Sequence, residues 1–136
     1  RKSVDDRIKK LLNADYIEVD DEVLKETRKQ IDEYFIMQRQ EFTLPLLMVG
    51  TEFQKSVWNA LLKIPYGKTA SYLELSKIIG NEKAVRAVAN ANGANAIALI
   101  IPCHRIIGTN GKLTGYGGGL PLKKKLLDLE NNLFTL

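Results

Sequence analysis

The chain has 136 residues, 45% of them hydrophobic, with 20 Lys and Arg against 16 Asp and Glu and a net charge of +4. That length suits one small globular domain, or one and a fraction, and no apolar run approaches the roughly 20 residues of a bilayer span. Nothing resembles a secretory signal; a single cysteine excludes an internal disulfide and predicts a reducing, intracellular setting, and with a single histidine it argues against a zinc site built from protein ligands alone.

The chain begins at Arg1 without a Met, and an upstream segment is therefore expected to have been removed or left out. Ser3 with Asp6 reads as a capping box for a first helix, with Val4, Ile8, Leu11 and Leu12 on one face. Asp20 or Asp21 caps a second, with Leu24, Thr27, Ile31, Tyr34 and Phe35 expected to face inward. Phe42 to Val49 is apolar but contains Pro45, so an extended connector is expected there and not a central strand.

From Thr51 the signals sharpen. Thr51 and Gln54 form a capping box for a helix with the stripe Phe53, Val57, Leu61 and Ile64. Pro65-Tyr66-Gly67-Lys68 is a turn. Ser71 and Glu74 open another helix that stops at Gly80, and a third runs from Glu82 to about Asn92, ahead of Gly93. Two short helices joined by a tight glycine turn predict a helix-turn-helix. In the second of them Arg86 is the one long charged side chain among Ala84, Val85, Ala87, Val88, Ala89 and Ala91, a composition that lets a helix lie close against a surface.

Ala96 to Ile101 is continuously apolar and predicts a strand buried on both faces. A turn at 108–111, the loop Gly115-Tyr116-Gly117-Gly118-Gly119 and a last helix from about Pro121 to Glu130 complete the chain. The expected division is 1–50, an N-terminal remnant and connector, and 51–136, a DNA-binding domain; the fold class is α/β (α+β), mostly helical with a short strand at the site. Charge divides at the same place: residues 1–50 carry 9 basic against 11 acidic side chains, a net of −2, and residues 51–136 carry 11 against 5, a net of +6. A basic C-terminal part suits a polyanionic partner.

The only cysteine and the only histidine are adjacent, in Ile101-Pro102-Cys103-His104-Arg105-Ile106-Ile107. A thiol with an ordinary pKa of about 8.5 is only a few per cent thiolate at neutral pH, so a nucleophilic cysteine needs a base or a positive environment. Neighbours on a strand point to opposite faces, so direct help from His104 requires a bridging water or a turn after Pro102. A carboxylate orienting the imidazole would complete the arrangement, and five acidic residues after position 50 are candidates.

The heptapeptide 101–107 resembles the active-site signature of the O6-alkylguanine-DNA alkyltransferases, the methylated-DNA–protein-cysteine methyltransferases. The similarity extends over 51–136 through Thr69-Ala70-Ser71-Tyr72, Gly80-Asn81, Ala84-Val85-Arg86-Ala87-Val88, Asn95, Gly115-Tyr116-Gly117-Gly118-Gly119-Leu120 and Leu129-Glu130, in one order. The resemblance implies that Cys103 takes an alkyl group irreversibly from O6 of a flipped-out guanine, once per molecule. O4-alkylthymine is an open second substrate. It further implies His104 as base acting through a water, Glu130 fixing the imidazole, Asn95 holding the turn near the thiol and Tyr72 donating to guanine N3. Arg86 would fill the gap left in the base stack, with the helix in the minor groove of double-stranded DNA. Ser71, Tyr72, Asn81, Ala87 and Thr109 would touch DNA, while Tyr116, Gly117 and Trp58 would shape the base pocket. No cofactor, no metal and no membrane partner is implied, and the protein is expected to be a monomer.

Three departures stand out. Residues 1–50 read as mostly helical where the family has a sheet-containing domain, so its first strands are missing or the domain is reduced. Gly117 stands where relatives commonly have serine, and Ala98 where some have proline. The rival reading is a non-catalytic binder of alkylated DNA, against which Cys103 itself argues; a DNA-binding regulator and a thiol hydrolase are further alternatives. The expected location is the cytoplasm of a prokaryote or the nucleus of a eukaryote.

Overall fold

A computed structural model describes residues 22–108, 110–111, 115–116 and 118–131. The chain divides into two compact units between Gly50 and Thr51. The expected helix after Ser3, the caps at Asp20 or Asp21, Thr109 and Gly117 lie outside the described residues.

In the first unit, α1 spans Glu22–Phe35 and is followed by a stretch without regular secondary structure from 42 to 49, as Pro45 leads one to expect. The inward face differs from the expected one. Gln30 and Tyr34 are buried and Thr27 and Ile31 half-buried, whereas Leu24 is 42% and Phe35 49% exposed. Phe35 follows Tyr34 by one residue and so points about 100° away around the helix. Gln30 is buried because its amide is satisfied: Nε2 donates to Thr43 Oγ1 at 3.0 Å and Oε1 accepts from Thr43 N at 2.9 Å, which ties the connector to α1.

The second unit contains α2 (Glu52–Leu61), β1 (Ala70–Ser71), α3 (Tyr72–Ile78), α4 (Val85–Gly93), β2 (Ile106–Ile107) and α5 (Leu120–Asn131). Single 3-10 turns at Glu82–Ala84 and Cys103–Arg105 precede α4 and β2. Both expected capping boxes are present. Thr51 accepts from Gln54 N and Ser71 from Glu74 N, while Gln54 and Glu74 each return a bond to the cap residue's N–H. Helices α2, α3 and α4 pack on one another around Val57, Trp58, Leu61, Leu75, Val88 and Ala91. Trp58 belongs to this core at 3% exposure, its indole N–H donating to Ala91 O at 2.9 Å.

The turn between α3 and α4 follows from Gly80, at φ +78°, a conformation that costs a residue with a Cβ. Asn81 N donates to Ser76 O and Gly80 N to Lys77 O, the paired bonds of a Schellman stop, and the chain then re-enters a helix.

The strand expected over Ala96 to Ile101 is absent. Asn95, 3% exposed, curls this segment: its Nδ2 donates to Ile101 O and its Oδ1 accepts from Ile97 N, both at 2.9 Å. Ile101 N donates to Ile97 O, and Leu99 takes φ +75° to close the loop. The apolar run thus fills a loop held by a side chain. The sheet lies elsewhere: β1 and β2 pair in parallel with Ala70 opposite Ile106 and Ser71 opposite Ile107. This pairing joins the entrance of the helix-turn-helix to the exit of the Cys103 turn.

Candidate functional site

Pro102 sits at φ −82° and ψ 63°, the centre of an inverse γ-turn in which Cys103 N donates to Ile101 O at 2.8 Å. Proline suits that position because its ring already fixes φ. One 3-10 turn follows, with Arg105 N bonded to Pro102 O, so Cys103 and His104 do not alternate as strand neighbours do. Cys103 is 6% exposed and His104 fully buried.

Helix α5 brings in the carboxylate. It buries Lys123, Leu126, Leu127 and Glu130, at i, i+3, i+4 and i+7, and packs against the Cys103–Arg105 turn. Glu130 Oε2 lies 2.7 Å from His104 Nε2 and Glu130 is 1% exposed. Of the five acidic residues after position 50, this is the one bonded to the imidazole. Arg105 grips the same carboxylate from a second side, Nε to Oε1 at 2.9 Å and Nη2 to Oε2 at 3.0 Å. Its Nη1 donates to Ile64 O at 2.7 Å, and its guanidinium lies 5.7 Å from the Tyr66 ring centre. Gly67 N adds a weaker bond to Glu130 Oε1 at 3.3 Å. Gly67 adopts φ +79°, a backbone conformation that favours glycine, while the space beside it would accept a Cβ at ordinary contact distance, 3.5 Å from Glu130 O.

These contacts fix the charge of Glu130. Burial by itself would raise the pKa of Glu130, but the hydrogen bonds from His104 and Arg105, reinforced by their charge, hold it at about 2. Glu130 is therefore a carboxylate and only accepts, which makes Nε2 of His104 the donor. In the neutral ring Nδ1 then carries the lone pair. That atom is buried and makes no hydrogen bond to any described residue. The arrangement thus gives a buried imidazole one committed nitrogen and one basic nitrogen, beside a thiol on the same turn.

The other expected residues fall into three groups. Asn95 holds the 95–101 loop that delivers Pro102 and Cys103. On the helix-turn-helix, Tyr72 opens α3 half-buried, while Asn81, Arg86 and Ala87 are exposed, together with Lys68, Lys77 and Lys83. Ser71 departs from this group: it is 7% exposed and its hydroxyl is engaged in the cap. Tyr116 is half-buried in a turn closed by Gly119 N to Tyr116 O at 2.9 Å. Trp58 is a core side chain, as described above, and its indole N–H is bonded to α4.

Two buried basic residues carried no assigned role in the sequence. Arg105 stands inside the 101–107 motif, yet its partners Ile64 and Glu130 are 41 and 25 positions away. Lys123 reads as one of three consecutive lysines, but it is fully buried, whereas Lys124 and Lys125 are exposed. Its spacing of seven from Glu130 is the one signal that puts it on the inward face.

The chain is similar to known proteins over most of its length. The family description "6-O-methylguanine DNA methyltransferase, DNA binding domain" matches residues 52–132. The methylated-DNA–protein-cysteine methyltransferase of Methanosarcina acetivorans is 54% identical over 112 residues, which cover 82% of this chain and 72% of that protein. The protein of the same name from Mycobacterium bovis is 54% identical over 103 residues, 76% of this chain and 62% of that one. Among solved structures, Mycobacterium tuberculosis OGT in complex with DNA superposes with a TM-score of 0.79 at 51% identity, covering 80% of this chain and 68% of that one. An O6-methylguanine-DNA methyltransferase from Pyrococcus kodakaraensis shares the fold, with a TM-score of 0.77 at 22% identity and 95% and 75% coverage. With more than half of its length matched by the family description and with close relatives at over 50% identity, the chain belongs to the 6-O-methylguanine DNA methyltransferase family.

Proposed function

We propose that this protein repairs alkylated DNA by moving the alkyl group from O6 of guanine to Sγ of Cys103, irreversibly and once per molecule. The observation that carries the reading is the buried His104–Glu130 contact of 2.7 Å, on the turn that also holds the only cysteine. The thiolate attacks the alkyl carbon in line, the carbon–oxygen bond breaks, and its electron pair leaves with the guanine. His104 Nδ1 takes the thiol proton through a water, while Glu130 keeps the ring oriented by accepting from Nε2. Tyr72 donates to guanine N3 and makes the base a better leaving group. The thioether product has no route back to thiol, which limits each molecule to one event.

An alkylated edge inside a duplex is inaccessible, so the nucleotide is extruded. The exposed Arg86, flanked by small residues on α4, fills the gap, with α4 in the minor groove. Asn81, Ala87, Thr109 and the backbone at Ser71 contact the strand, and Tyr116 and Gly117 close over the base. The protein acts as a monomer. The test is intact-protein and peptide mass spectrometry after incubation with a duplex containing O6-methylguanine. A gain of one methyl group on the Cys103 peptide, saturating at one per protein and lost in Cys103→Ala, is the expected result. Retained DNA binding with Cys103 unmodified would replace this reading with a lesion binder.

A further inference from the structure

Helix α4 turns one face to the protein and leaves the other bare. Val88, Ala91 and Asn92 are buried, whereas Arg86, Ala87, Asn90 and Gly93 are exposed. At about 100° per residue, Asn90 lies about 40° around the helix from Arg86 and four residues, roughly 6 Å, further along it. The two side chains share one stripe, and they are the only polar ones among the exposed residues of α4. The asparagines of this segment divide by role. Asn95 commits its amide to the loop that ends at Ile101, and Asn92 is buried, but the side-chain amide of Asn90 bonds no described residue. Asparagine is a poorer helix former than alanine because its side chain competes for the backbone. Exposed between Ala89 and Ala91, it therefore adds nothing to the helix itself.

We infer that Asn90 is a specificity-determining residue of the DNA interface, its amide reading the minor-groove edge of a base pair one or two steps from the extruded nucleotide. The inference rests on the proposed placement of α4 in the minor groove with Arg86 in the base stack. Two base-pair steps span about 7 Å, so a side chain roughly 6 Å along the helix from Arg86 reaches a pair at that distance. Its exposed neighbours Ala87 and Gly93 are small, which lets the backbone come close enough for a side chain as short as asparagine to meet the groove floor. Every base pair offers acceptors on that floor, and only G·C adds a donor, the N2 amino group of guanine. An amide carries a donor and an acceptor side by side. Nδ2 of Asn90 donates to guanine N3 while Oδ1 accepts from guanine N2, and an A·T pair can satisfy the donor alone. The pair preferred at that position is therefore G·C.

The experiment measures single-turnover methyl transfer from duplexes in which the first and second pairs on either side of O6-methylguanine are varied one at a time. Each is made G·C, A·T or inosine·cytosine, with the purine on either strand. Inosine lacks the N2 amino group and keeps the major-groove edge of guanine. At one of these positions the wild type is expected to react about fivefold or more faster with G·C than with A·T or inosine·cytosine, the lower end of what one bidentate base contact gives. In Asn90→Ala that ratio falls to one or below. Easier opening of the duplex cannot produce this order, because it favours the weaker A·T and inosine pairs. Alanine is the best helix former, so the variant is expected to fold, with an unfolding midpoint at or above that of the wild type. Ratios that are equal in the wild type and Asn90→Ala at every position overturn the inference. So does a wild-type preference that inosine shares with guanine, since it would be read in the major groove. Arg86→Ala is measured on the same duplexes. If it reacts as fast as the wild type, the placement of α4 fails and the inference with it; if it is slow while Asn90→Ala keeps the wild-type ratios, the role of Asn90 alone fails.

Discussion

Burying a carboxylate costs several kcal/mol of hydration even after relaxation, and Glu130 offsets that cost through His104, through two bonds from Arg105 and through Gly67 N. The ionised form accepts on both oxygens at once, from Arg105 Nε and Gly67 N on Oε1 and from His104 and Arg105 Nη2 on Oε2, which an amide cannot do. The change Glu130→Gln keeps the shape and removes the charge, which leaves the guanidinium of Arg105 buried without its counter-ion. We expect a loss of about 3–5 kcal/mol of stability, as for other buried pairs broken on one side, read from the midpoint of chemical unfolding. The amide also presents a mixed donor and acceptor to His104 Nε2, so the tautomer is no longer dictated. Single-turnover methyl transfer by the folded fraction is expected to slow by roughly 100-fold, the lower part of the range for a general base. An unchanged transfer rate would remove His104–Glu130 from the mechanism.

At the scale of elements, the helix-turn-helix separates stability from binding. Ser71→Ala removes the acceptor for Glu74 N and is expected to cost about 1 kcal/mol. Arg86→Ala removes an exposed side chain from α4, so its unfolding midpoint should stay within about 0.5 kcal/mol of the wild type. Its transfer rate from duplex DNA should nonetheless fall at least about tenfold, since an unfilled stack recloses on the extruded base; equal rates would exclude the finger role. These devices were legible because they are local. Thr51 with Gln54 and Ser71 with Glu74 are three residues apart, and Gly80 sits at the stop it makes. The Ala96–Ile101 run misled because an apolar stretch reports burial and not strand pairing; the loop there depends on the two bonds of Asn95. The inward face of α1 departs from the apolar pattern for a related reason, since Gln30 is buried through Thr43, 13 residues on. The burial of Arg105 is illegible because composition does not reveal which of several basic side chains a fold buries, and for Lys123 only the spacing of seven from Glu130 points inward.

Across the second unit, the Glu130 cluster draws four separated segments together: Ile64 at the end of the α2 region, Gly67 in the following turn, the 104–105 turn and α5. Its protonation therefore bears on the whole unit and not on one contact. The sign follows from Glu130's pKa, held at about 2 in the fold against 4.5 for an ordinary glutamate. The unfolded chain takes up the proton first as pH falls, so the contribution is fully present above about pH 4.5 and is lost progressively toward pH 2. A difference of about 2.5 pH units corresponds to roughly 3 kcal/mol at most. The measurement is the unfolding free energy of the wild type and of Glu130→Gln from pH 7 to pH 2. Their difference isolates Glu130 from the other carboxylates, whose titration both proteins share. It should be constant down to about pH 5 and shrink below that. A gap that persists undiminished at pH 2 would mean that Glu130 stabilises the unit through shape and packing, and that its charge is spent on holding His104 alone.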